Sequence, residues 1–178
     1  FSVTTVDSVA GVDTDTGAVA LTATAGSLTV VNTGAGDDVV GTTTIALTAG
    51  GDDSTLTISS GADVESTGGA HTYVADKVDL SGTITATGQT VTIKSANAGD
   101  AIDLGGADAT NTLGLTDTEL DNVTAGTLRI GATDAGAITV SAAVSPANVA
   151  TALSLLSDEG IGDSSDTGSI TLAGGLLL

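Results

Sequence analysis

Two aspartate pairs raise the first chemical possibility. The stretch "TGAGDDVVG" (33–41) carries Asp37 and Asp38, and "AGGDDSTL" (49–56) carries Asp52 and Asp53. Carboxylates set among glycines suit Ca2+, a hard cation that takes six to eight oxygen ligands. In the first stretch Gly34, Gly36, Asp38 and Val40 fall in register with a calcium-binding nonapeptide, although Thr33 stands where that pattern opens on glycine. The second stretch is out of register. Such sites draw ligands from successive turns, so they need tandem copies. Ca2+ at Asp37, Asp38, Asp52 and Asp53 is therefore the secondary expectation, and acidic turns without an ion are the primary one.

His71 is the sole imidazole, and Tyr73 lies two residues on. In a strand the two share a face. A polysaccharide lyase or hydrolase would need such groups beside paired carboxylates. Glu65, Glu119 and Glu159 are scattered without a pattern, so a surface or corner position is the simpler expectation for His71. No phosphate loop, nucleophile elbow or Cys/His metal spacing occurs. The tripeptide Asn122-Val123-Thr124 matches a glycosylation sequon, a match that arises readily by chance. The expectation is a protein without catalytic residues.

Composition bounds the elements that must position these groups. The chain has 178 residues, 40% hydrophobic, with a mean hydropathy of +0.37. Trp, Met and Cys are absent, and Phe and Tyr occur once each. Core volume must then come from Val, Ile, Leu and Ala, which suits a thin stack of strands better than a wide globule. The aliphatic content argues against disorder. Net charge is −19, from 22 acidic and 3 basic residues. Three cations cannot neutralise a run of phosphates, so nucleic acid is excluded as a partner, and binding to an anionic membrane surface is disfavoured. No stretch of 18 apolar residues is present. The absence of cysteine is compatible with secretion and rules out a disulfide framework. The chain opens on Phe1 without a Met, as a processed chain or a segment of a longer one would.

Short alternating runs recur along the sequence. They include "AVALTAT" (18–24), "SLTVVN" (27–32), "TIALTA" (44–49), "TLTIS" (55–59), "KVDLSG" (77–82), "TITAT" (83–87), "TVTIKS" (90–95), "AIDLGG" (101–106), "TLRIG" (127–131), "AITVSAAV" (137–144) and "SITLAG" (169–174). Period two and β-branched content make each a strand, and Gly, Asn and Asp clusters between them make turns. Two or three such strands with their turns form a unit of roughly 20–30 residues, the repeat length of a solenoid. The period is too irregular for the Thr grid of an ice-binding surface. A β-sandwich is the structural alternative, although this chain lacks aromatic core anchors. Two segments break the pattern. "TDTELDNVTAG" offers Thr116 as N-cap, Glu119 as the other half of a capping box, and Gly126 as the stop of a two-turn helix. "SPANVATALSLLSDEG" (145–160) reads as a helix by rule or as a corner followed by the strand "TALSLLS", the preferred reading.

The stretch "AGDAIDLGGADATNTLGLTDTELDNVTAGTLRIGATDAGAITVSAAV" (98–144) resembles the repeat region of large secreted exoproteins of the filamentous haemagglutinin type. The likeness is closest over 113–144 and fades before residue 75. It implies a right-handed parallel β-helix, export by the two-partner route, and an adhesive or surface-structural role. No catalytic residues come with it, and the secretion domain of that family is not evident here.

The sequence as a whole is therefore expected to be all-β: one β-solenoid domain over 1–178, with one or two short helical insertions. The expected role is a secreted, non-enzymatic structural or adhesive protein at a bacterial cell surface. Its expected partners are further copies stacked end to end or a continuation of the same rod, and a host or neighbouring cell. The apolar run "SITLAGGLLL" supports end-to-end stacking. The alternative function is a calcium-dependent extracellular binding module of the RTX type.

Overall fold

The structure is a computed structural model, and it describes residues 2–3, 11–34, 36, 38–164 and 167–178. It is almost all β, with 52% strand and 3% helix. Every pairing between named strands is parallel. The β-sandwich, the structural alternative, is built from antiparallel sheets, and these sheets are parallel. The arrangement is solenoid-like: partners lie one repeat apart in the chain, as in Val19, Ile45, His71 and Val91, which pair in succession.

Three ladders recur in the order in which the chain visits them. The first holds β1 (Ser2–Val3), β4 (Leu28–Val30), β7 (Thr55–Ile58) and β10 (Lys77–Leu80). The second runs through β2 (Val12–Asp13), β5 (Val39–Gly41) and β8 (Asp63–Ser66). The third runs through β3 (Val19–Ala23), β6 (Ile45–Ala49) and β9 (His71–Val74). The second and third then merge, because β11 (Thr83–Lys94) continues β8 with its first half and β9 with its second. β14 (Val123–Gly131) and β17 (Val149–Leu156) repeat that long form, and β20 (Gly175–Leu177) closes the third ladder.

Alternation turns one side of each strand inward, so like residues stack. The second ladder buries Val39, Val64, Ile84 and Val123 in one column. The third buries Ile45, His71, Val91, Leu128 and Leu153 in one column and Leu47, Tyr73, Ile93, Ile130 and Leu155 in the next. Each fully buried aliphatic side chain contributes about 1.5–3 kcal/mol of transfer free energy. A core of this kind grows along its axis without thickening, which explains why so few large residues suffice.

The first ladder is interrupted. After β12 (Ala101–Leu104) the chain doubles back to β13 (Thr112–Leu115), which pairs in parallel with β12 on the side away from β15 (Ile138–Val140). A separate sheet results, in the order β13, β12, β15 and β18 (Ile161–Asp163). The extra strand and the helix α1 (Asp117–Asp121) lengthen the repeat, so that Val91 pairs with Leu128, 37 residues on.

α1 starts as the sequence predicts. Thr116 caps it, with both halves of the capping box formed with Glu119. It stops earlier than expected, at the C-cap Asn122, because Val123 already joins the second ladder beside Ile84. Gly126 lies inside β14 instead. A Cβ there would come within 2.6 Å of the Gly88 carbonyl. Gly88 sits at φ +74°, where β11 slips register between Ala86 and Thr90. The glycine pair forms the bend where one long strand passes from the second ladder to the third. The segment 145–160 resolves as a corner and β17, the preferred reading. A last small sheet pairs β16 (Ala143–Val144) with β19 (Ser169–Ile170).

Candidate functional site at a break between two parallel sheets

A cleft opens where the first ladder breaks. It measures about 620 Å3 and is lined by Val78 to Leu80 on β10 and Ser81 after it, by Ala107 and Asp108, and by Thr116, Thr118, Glu119 and Asn122. β10 would normally offer its next amides to a neighbouring strand. Here two carboxylates take them. Val78 N–H donates to Asp108 Oδ2 at 3.0 Å, and Leu80 N–H donates to Glu119 Oε1 at 3.3 Å. The other oxygen of each carboxylate faces the insertion. Gly114 N–H donates to Asp108 Oδ1 at 2.8 Å, and both the amide and the hydroxyl of Thr116 donate to Glu119 Oε2 at 2.9 and 2.7 Å. Asn122 Nδ2 returns a bond to the Leu80 carbonyl at 2.7 Å. The two acidic side chains thus replace a strand as the acceptors of β10.

Burial in this cleft pushes the Asp108 carboxyl up to about 6, and the charge of Glu119 adds to the rise. The Gly114 and Val78 amides and the Lys77 ammonium pull the other way. A carboxyl titrating there beside a second one has the outline of an acid–base pair. The geometry gives it another use, since all four oxygens already accept from the chain's own donors. What the arrangement does is hold the insertion against β10.

His71 and Tyr73 were expected at the surface or a corner. Both are fully buried, inward on β9, and the expectation is corrected. They stack between aliphatic neighbours of the third ladder, and a closed chain of bonds satisfies them. Tyr73 Oη lies 2.8 Å from His71 Nδ1, His71 Nε2 lies 2.7 Å from Ser66 Oγ, and Ser66 Oγ donates to the Gly69 carbonyl at 2.9 Å. One neutral tautomer satisfies every member: Tyr73 donates to Nδ1, and Nε2–H donates to Ser66. Desolvation lowers the His71 pKa to about 4 and raises that of the Tyr73 phenol well above its usual value. No member reaches solvent where a substrate would sit.

The aspartates singled out for calcium divide between two places. Asp37 lies outside the described residues. Asp38 is buried at the corner between β4 and β5, where Oδ1 accepts from the Thr33 amide and hydroxyl and Oδ2 from the Asp63 amide. Asp52 and Asp53 stand at the corner between β6 and β7. Asp52 accepts from Asn97 Nδ2 at 3.2 Å, and Asp53 pairs with Lys77 at 3.0 Å. Asp38 therefore stands at a different corner from Asp52 and Asp53. Among the described residues, no group of three or more His, Cys, Asp or Glu side chains is placed to hold a metal ion.

The second corner contains residues that the sequence reading passed over. Asp76, 2% exposed, collects four donors: the Asp53 amide at 2.9 Å, Ser95 Oγ at 3.1 Å, the Ala96 amide at 3.2 Å and Asn97 Nδ2 at 2.8 Å. Ser95 also reaches Asp100 at 2.9 Å, whose carboxyl is raised by burial and by Asp76 and Asp52. These bonds tie three successive repeats. The signal was present as spacing, since Asp52, Asp76 and Asp100 recur every 24 residues. Comparison with known protein families, with curated proteins and with solved structures gives no match.

Proposed function

We propose that the chain forms a right-handed parallel β-helix and serves as a structural or adhesive rod of a secreted surface protein, without catalysis of its own. The observation that carries this reading is the use of the polar groups. The carboxylates of the cleft and the Asp76 corner hold one repeat to the next, and the His71 network joins two consecutive strands of a single repeat. The right-handed sense follows from the strong preference of parallel strand crossovers and from the resemblance to filamentous haemagglutinin-type exoproteins. Export and bacterial-surface location rest on that resemblance too. A surface of net charge −19 keeps long assemblies soluble. Leu176 and Leu177 on β20 are 44% and 55% exposed, so a further parallel strand, from this or another chain, would find an apolar seat there.

Melting the protein with and without EDTA tests this reading, with electron microscopy of the same samples. Rods with an unchanged Tm in EDTA are expected. A Tm that collapses in EDTA and recovers with Ca2+ would replace this reading with that of a calcium-dependent binding module.

A further inference from the structure

The outer face of the third ladder differs in charge from the rest of the molecule. Its strands are β3, β6, β9, the second halves of β11, β14 and β17, and β20. Together they contain no Asp or Glu, in a chain that has 22. Many of their outward positions are small (Ala46, Thr48, Thr72, Thr92 and Ser154), and Val74, Leu156 and Leu177 add aliphatic surface. Two of the three cations of the protein stand on it. Arg129 pairs in register with Thr92, and Lys94 follows two residues on in the adjacent strand, so the two project from neighbouring strands. Neither has an ion-pair partner among the described residues. Seven strands about 4.8 Å apart, each about five residues wide, make a surface of roughly 29 by 16 Å.

The outer face of the second ladder is its opposite. There Asp13, Val40, Glu65, Thr85 and Thr124 align in one register column, and Asp63 sits beside Thr83 in the next. The described strands of this face carry three carboxylates and no cation. The first ladder offers no such match, because the 105–111 loop and the cleft interrupt it and Lys77 stands among its acids.

We propose that this carboxylate-free face is a lateral docking surface for a second copy of the chain, which presents its acidic second-ladder face to Lys94 and Arg129. The contact is heterologous, so it propagates into side-by-side arrays instead of closing as a dimer. It rests on the reading of the protein as a rod and adds how rods associate.

Charge complementarity predicts an unusual salt dependence. At about 0.01 M salt the screening length is about 30 Å, and the repulsion between two net charges of −19 dominates. At about 0.15 M it is about 8 Å, so only the apposed faces interact. At about 1 M the facing pairs are screened as well. Association should therefore peak at intermediate salt.

The test is a charge swap read by sedimentation and negative-stain imaging. One variant carries Lys94→Glu and Arg129→Glu. The other carries Asp13→Lys and Glu65→Lys, whose side chains make no hydrogen bond among the described residues. Circular dichroism checks that both fold. Side-by-side pairing of the unmodified protein is expected near 0.15 M, and each variant alone should pair about tenfold or more weakly. An equimolar mixture of the two variants should regain pairing, because each supplies the complement that the other lost. Folded variants that pair like the unmodified protein, a mixture that stays unpaired, or no lateral pairing at any salt would overturn the proposal. The rod reading fails separately, if the images show no elongated particles at all.

Discussion

At the scale of single residues, the buried side chains His71, Tyr73, Ser66 and Asp76 all bond to other groups of the chain. His71 is the clearest case, because it occupies a slot between Ile45 and Val91 that an aliphatic residue would fill. Its folded pKa, about 4, lies below the unfolded value near 6.5. The neutral form therefore stabilises the fold fully above about pH 6.5, and that stability drains away as pH falls through 4. The loss amounts to about 3 kcal/mol. Asp108 acts with the opposite sign: its carboxyl is raised to about 6, so its contribution is full below the unfolded carboxylate range and is lost as pH rises through 6. The variant His71→Val with Tyr73→Phe removes the imidazole and the phenol together and keeps Ser66 as donor to the Gly69 carbonyl. Its Tm should fall less between pH 7 and pH 4 than that of the unmodified protein, as scanning calorimetry would show. An equal fall in both would mean that His71 is not held neutral. Burial of the pair was not legible in the sequence. A His and a Tyr two apart on a strand share a face, but nothing in "HTYV" says which face the core takes. Ser66, which closes the network, lies on the preceding strand.

At the scale of elements, the register bend in β11 and β14 depends on a glycine contact. Gly126 packs its Cα against the Gly88 backbone, so Gly126→Ala should cost about 1–3 kcal/mol by overpacking, read as a shift in urea midpoint. Gly88→Ala should cost a comparable amount for a different reason, since its φ of +74° disfavours any Cβ. A neutral Gly126→Ala would show that the strands are farther apart at the bend. The sequence reading took Gly126 as a helix stop, because a glycine after a helical pattern and a glycine needed for close approach look alike. The capping box was legible because it is local: Thr116 and Glu119 satisfy each other within one turn. The extra strand β13 was not, since Gly114 interrupts its alternation and the turn residues at 105–111 do not say to which strand the chain returns. The two carboxylates facing β10 were missed for the same reason, as Asp108 and Glu119 meet Val78 and Leu80 only after 30 and 39 residues of chain.

At the scale of the whole molecule, period-two strands and a repeat of roughly 20–30 residues were enough to read an all-β, parallel, solenoid-like chain. Stacked ladders turn a one-dimensional pattern into a core, so the fold is largely written in the spacing of Val, Ile and Leu. Function is less legible, because the polar side chains that would announce chemistry elsewhere here bond to neighbouring strands and loops of the same chain. The central claim is that successive repeats stack in parallel, in the register that spans the insertion. The chain has no native cysteine, so an engineered disulfide reports that register cleanly. Thr92 and Arg129 are 37 residues apart in sequence and in register across β11 and β14. Their Cα atoms should lie about 4.8 Å apart, within disulfide reach. Oxidation of Thr92→Cys/Arg129→Cys should therefore close the bond readily in the folded protein, and the off-register pair Lys94→Cys/Thr127→Cys should stay reduced. A bond that forms only in the off-register pair, or in neither, would contradict the parallel stack.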